Sequence, residues 1–97
     1  MKAPVTEIHV SVDGRVQGVG YREFVRSSAD RFGVTGWVRN RNDGSVETRL
    51  RGTTEGVEAV IADMRRGPRF AEVATLRIEA RPRNEDAWLG FEVRRTV

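Results

Sequence analysis

Cysteine is absent from these 97 residues. That excludes disulfides and thiolate chemistry, and it fits a reducing compartment. Histidine occurs once, as His9, and no cluster of His, Asp and Glu has the spacing of metal ligands, so neither a metal nor a cofactor is expected. No run approaches the ~18 apolar residues of a membrane span, and Met1 to Thr6 lacks the apolar core of a signal peptide. The default expectation is a soluble, cytoplasmic protein with no membrane partner. Linkers and low-complexity tracts are also missing, and the length suits one domain over residues 1–97 with a modest core. Nor is there a strong excess of one charge: 17 Lys and Arg face 14 Asp and Glu, for a net +3. The charges are interspersed without a basic block. This argues against a dedicated nucleic-acid partner and fits a field that favours anionic small molecules.

What is present is a regular alternation of elements. Glu7 to Asp13 places Ile8, Val10 and Val12 on one face and His9 and Ser11 on the other, a strand pattern. His9 therefore points away from the core and has no sequence-local partner, so it is left out of any chemistry. From Tyr21 to Phe32 the apolar residues take helical spacing, and Gly33 ends the helix. Val34–Asn40 and Ser45–Arg51 read as two strands joined by the turn Arg41-Asn42-Asp43-Gly44. Thr53 or Thr54 caps a second helix bearing Val57, Val60, Ile61 and Met64, which Gly67-Pro68 stops. A fourth strand puts Ala74, Leu76, Ile78 and Ala80 inward. After a polar loop from Pro82 to Asp86, Trp88–Arg94 forms a last short strand with Leu89, Phe91 and Val93 on one side. The order βαββαβ with a short extra strand is the ferredoxin-like α+β pattern. It implies an antiparallel sheet of four main strands plus the short C-terminal one, with two helices on one face.

Between the first strand and the first helix lies Gly14-Arg15-Val16-Gln17-Gly18-Val19-Gly20-Tyr21-Arg22. Glycines let successive backbone N–H groups turn toward one centre, and a helix N-terminus adds its positive dipole end. Arg22 stands where loop becomes helix, so its planar, permanently charged fork can close over that centre. The loop lacks the Lys-Ser/Thr ending of a nucleotide P-loop and does not fit G-x-G-x-x-G. On the residues alone it is either a cradle for a phosphate or carboxylate, or a structural turn.

The stretch from Gly14 to Arg22 resembles the first signature of the acylphosphatases. Gly36-Trp37-Val38-Arg39-Asn40, followed by Gly44, Val46 and Gly52, resembles the second. The two patterns stand in the right order and cover nearly the whole chain. The resemblance implies a small, free-standing, monomeric enzyme with the ferredoxin-like fold. It would hydrolyse small-molecule acyl phosphates to carboxylate and phosphate, with inorganic phosphate or sulfate as competing anions. It also implies that Arg22 binds the phosphoryl group and Asn40 orients the attacking water. By itself Asn40 reads as a turn residue at the mouth of a hairpin.

In a split βαβ unit the first two strands run parallel with the third between them, so their C-terminal ends share one sheet edge, roughly 10 Å apart. Arg22 and Asn40 are thereby brought to one place. The loop offers no serine or cysteine, and arginine is no proton acceptor. Such a site positions and stabilises: the backbone amides of Gln17, Gly18, Val19, Gly20 and Tyr21, with Arg22, would hold phosphoryl oxygens. Tyr21 itself is read as packing, and Asp13 and Asp43 as strand-end and turn residues.

Two rival readings use the same fold. An RNA-binding sheet stacks bases on exposed aromatics, yet the third strand, Ser45-Val-Glu-Thr-Arg-Leu50, has none. The motifs also resemble the acylphosphatase-like domain of hydrogenase-maturation carbamoyltransferases, which continue into cysteine-rich zinc segments. A chain of 97 residues without cysteine favours the free-standing enzyme. Arg41 and Arg51 depart from residues common in acylphosphatases; the first bears on either water positioning or substrate preference, and no effect is assigned to the second.

Overall fold

The computed structural model describes residues 5–81 and 88–97. The polar loop expected over Pro82–Asp86 and the first four residues of the opening segment lie outside them. The described elements are β1 (Val5–Arg15), α1 (Tyr21–Arg31), β2 (Thr35–Asn40), β3 (Val46–Thr53), α2 (Thr54–Arg66), β4 (Glu72–Ala80) and β5 (Phe91–Arg94). The sheet order is β4-β1-β3-β2-β5. β3 is antiparallel to both β1 and β2, so those two run the same way on either side of it, and β4 is antiparallel to β1. This is the expected ferredoxin-like α+β arrangement. β5 joins β2 in parallel, which makes the whole sheet mixed.

Alternation fills one sheet face with Ile8, Val10, Val12, Val38, Val46 and Leu50, and both helices cover it. α1 contributes Tyr21, Val25, Ser28 and Ala29 to the buried layer, and α2 contributes Gly56, Val57, Val60 and Met64. Each fully buried aliphatic side chain is worth about 1.5–3 kcal/mol, so these stripes hold the layers together. Of the two candidate caps, Thr53 is the one used: its Oγ1 accepts from Gly56 N at 3.0 Å. α1 gives way to Gly33 at φ 67°, and α2 to Gly67, whose amide donates to Asp63 O at 2.8 Å. No helix among the described residues is long and apolar enough to cross a membrane.

Two strand ends differ from the pattern reading. The β1–β4 register shifts between Asp13 and Gly14, so Ala74 is exposed and Val73 packs on the core in its place. Further along, Ile78 and Ala80 are exposed because β4 is an outer strand that α2 alone of the two helices packs against. At the C-terminus the strand begins at Phe91 rather than Trp88, because its ladder starts at Gly36↔Phe91, one residue inside β2. Leu89 precedes the ladder and is fully exposed, Phe91 packs on the core, and Val93 is half-exposed.

Gly14 shows why the register shift is tolerated. It sits at φ 129°, and a Cβ there would lie 2.2 Å from Glu72 O and 2.7 Å from Ala74 N. Gly14→Ala is therefore expected to destabilise the protein by more than about 2 kcal/mol, through backbone strain and a clash that no side-chain movement relieves. Gly18→Ala, with open space around it, should cost only about 1–2 kcal/mol for its left-handed backbone. Denaturant unfolding of the two variants beside wild type checks the order.

Candidate active site

β1 ends at Arg15, and the loop to α1 alternates inward anchors with exposed glycines. Val16 is 1% exposed, Val19 packs against the core, and Gly18 and Gly20 face solvent. Gly18 and Gly20 hold φ values of 75° and 76°, a left-handed backbone that glycine adopts without a side-chain penalty. Gly20 is the N-cap of α1, and no side chain caps that end. The first amides of the helix lack intrahelical partners by geometry. Tyr21 fixes this end: buried to 1%, its hydroxyl donates to Met64 O at 2.8 Å. That burial pushes the phenol above its usual range. Tyr21 is a packing residue, as its position suggested.

A cavity of about 250 Å³ lies over this turn, lined by Val16, Gly18, Gly20, Tyr21, Arg22, Glu23, Asn40 and Val93. Arg22 and Asn40, 18 residues apart in the chain, face one space. Gln17 and Val19, the other two loop positions singled out in the sequence, lie between the lining residues and are not among them. Arg22 Nη1 donates to Arg94 O at 3.1 Å. Among the described residues no carboxylate pairs with this guanidinium. The neighbouring Glu23 carboxylate is taken by Arg26, whose Nε donates to it at 2.9 Å. That hydrogen bond lowers the Glu23 pKa. The positive charge of Arg22 is thus left for the cavity. Asn40 ends β2, and its Oδ1 is buried with no hydrogen-bond partner among the described residues. A buried polar atom without a partner is costly, about 1–3 kcal/mol, and calls for an explanation.

Several contributors were not visible in the motifs. The C-terminal segment holds the Arg22 side chain and the Asn40 backbone. Arg94 O receives Arg22, while Val97 N donates to Asn40 O at 3.1 Å and Asn42 N to Val97 O at 2.7 Å. Val93 adds an apolar wall. Only the parallel pairing of β5 with β2 brings these residues to the site, and no local pattern signals it.

The chain neighbours of Asn40 point to the other sheet face. Glu47, pairing across the ladder with Arg39 and only 5% exposed, receives Arg39 Nε, Arg41 Nη1 at 3.0 Å and His9 Nε2 at 2.8 Å. Arg41 therefore turns away from the cavity, toward Glu47. Arg51 lies toward the far end of β3, opposite Thr35. His9 sits on the open face as expected, edge-on to Trp37. Asp43 is a turn residue, accepting from Ser45 N and Oγ at 2.9 and 2.6 Å.

Burial alone would raise the Glu47 carboxyl, but the hydrogen bonds from His9, Arg39 and Arg41 outweigh it and hold the group below its usual value of 4.5. A folded-state pKa below the unfolded one means that the stabilisation is complete above that usual value. It is lost as pH falls through the lower folded value. Glu47→Gln is expected to cost about 1–3 kcal/mol at neutral pH and to flatten the acid limb of stability. Melting temperatures of variant and wild type should converge on acidification; a constant gap down to strongly acid pH would contradict the assignment.

Residues 8–93 match the family model described as Acylphosphatase. The chain is 46% identical to an acylphosphatase of Thiobacillus denitrificans over 87 residues, covering 90% of this chain and 94% of that protein. It is 48% identical to one of Salinibacter ruber over 92 residues, covering 93% and 96% respectively. The crystal structure of acylphosphatase from Bacillus subtilis superimposes with a TM-score of 0.86 at 32% identity, over 93% of this chain and 98% of that one.

Proposed function

Because the chain belongs to the acylphosphatase family and its activity is that of an acylphosphatase, we propose a division of labour within the cavity. Arg22 and the loop amides from Gln17 to Tyr21 hold the phosphoryl group, and Asn40 holds the attacking water. The observation that carries this reading is that Asn40, whose buried Oδ1 has no partner among the described residues, lines the same cavity as Arg22. An amide oxygen accepts a hydrogen bond from water, and accepting one aims the water's lone pair away from it, toward the phosphorus. The new P–O bond forms as the P–O bond to the carboxylate breaks. The carboxylate leaves with the bonding pair, and the proton released from water passes to phosphate or solvent. A carboxylate is a good leaving group, so little acid assistance is needed. Negative charge on the phosphoryl oxygens meets donors already in place, which is where such sites gain most of their rate.

Competition by inorganic phosphate or sulfate belongs to the same proposal, as does action as one domain, as a monomer, in the cytoplasm. The rival sheet-binding reading is not favoured. On the open face Trp37 is 9% exposed, covered by the guanidinium groups of Arg39 and Arg94 at 4.8 and 4.9 Å, so no bare ring is offered to a base. Nor is carbamoyl transfer favoured, since the relatives spanned almost end to end carry the acylphosphatase name.

Steady-state hydrolysis of benzoyl phosphate with EDTA present tests the roles. Arg22→Ala should lose about a hundredfold to a thousandfold in turnover, the usual loss for one preorganised donor to developing charge, together with phosphate inhibition. Asn40→Ala should lower kcat and leave the phosphate inhibition constant near wild type. Near-normal turnover in Arg22→Ala would refute the assignment. Loss of phosphate affinity in Asn40→Ala would make that residue a binding group instead.

A further inference from the structure

We propose that the Gln17 side chain is a positioning residue, a brace that sets Asn40 relative to the cradle; this rests on the reading of Asn40 as the group that holds water. Gln17 belongs to the loop that carries the cradle, yet its side chain leaves the cavity. Its Nε2 donates at 2.8 Å to Arg41 O and at 2.8 Å to Ser45 O. Both acceptors are carbonyl oxygens, so only the NH2 end of the amide satisfies them. The two carbonyls bracket the turn that joins β2 to β3, and Arg41 follows Asn40 directly. One side chain therefore ties the loop before α1 to the hairpin at whose mouth Asn40 stands.

The brace matters because Asn40 Oδ1 has no hydrogen bond within the described protein. Its place is set by the backbone around it. Besides the ladder and the turn's own hydrogen bonds, Val97 holds that backbone through its N on Asn40 O and its O on Asn42 N, and Gln17 holds it through Arg41 O. Of these contacts, that of Gln17 comes from the loop that leads into the helix bearing Arg22. The carbonyls do not need Gln17 to be satisfied. Arg41 O also accepts from Gly44 N at 3.1 Å, and Ser45 O from Arg41 N at 2.8 Å. Removing the Gln17 donors thus orphans neither acceptor, and the loss falls on geometry more than on folding. Its backbone amide remains in the loop whatever the side chain.

The test is a double-mutant cycle in benzoyl phosphate hydrolysis, with inhibition by inorganic phosphate read on every variant. Gln17→Met, of similar length and without donors, is expected to lower kcat about tenfold to a hundredfold, the scale of a small misplacement of a reacting group. KM and the phosphate inhibition constant should stay within about twofold. In the Asn40→Ala background the same substitution should cost less than about twofold, because coupled residues are not additive. Should Gln17→Met fail to fold, Gln17→Leu, shorter but uncharged and equally without donors, carries the same expectations. Wild-type kcat in Gln17→Met beside a crippled Asn40→Ala would overturn the brace and leave the reading of Asn40 standing. Full additivity would also overturn it. Wild-type turnover in Asn40→Ala would remove the reading on which the brace depends.

Discussion

The site depends on one constraint: β1 and β2 run in the same direction on either side of β3. Antiparallel pairing of each with the same central strand leaves no other option. The chain therefore leaves β1 and β2 at the same sheet edge, once into a helix N-terminus and once into a tight hairpin. The first exit supplies a helix end that no side chain caps, and the second supplies Asn40, whose buried Oδ1 has no partner among the described residues. β5, parallel to β2, delivers its own C-terminal end to that edge and closes the arrangement from the third side.

The arrangement concentrates unsatisfied polarity where the core would least tolerate it. Val16 and Tyr21 press into the hydrophobic layer, while Gly18 and Gly20 between them line the cavity. Glu23, which also lines the cavity, pairs with Arg26 and not with Arg22, and Arg41 is drawn to Glu47 on the opposite face. Among the described residues no carboxylate pairs with the Arg22 guanidinium that lines the cavity, and in the proposed reading an anionic substrate is its partner.

Period-two and helical spacing made the layers legible in the sequence, because Ile8, Val10, Val12, Val57, Val60 and Met64 announce their faces locally. Arg22 and Asn40 could be placed together because strand order follows from the split βαβ pattern. The rest was hidden for physical reasons. The shift at Gly14 comes from the backbone of β4, some 60 residues away, so Ala74 and Val73 exchanged roles without any local sign. The contacts of Arg94 O and Val97 on the site are made by main-chain atoms, which carry no residue signature. The Gln17 amide sits inside a glycine-rich motif that draws attention to its backbone, while its side chain works 24 and 28 residues further on.

The central claim is that the cradle presents phosphorus, and not the acyl carbon, to a water held by Asn40. Hydrolysis of benzoyl phosphate in water enriched in heavy oxygen, corrected for the uncatalysed reaction, tests it most directly by mass spectrometry of both products. The account predicts that the label enters phosphate and that benzoate stays unlabelled. Label in benzoate would mean that water attacks the carbonyl carbon, and the roles given to Arg22 and Asn40 would be wrong.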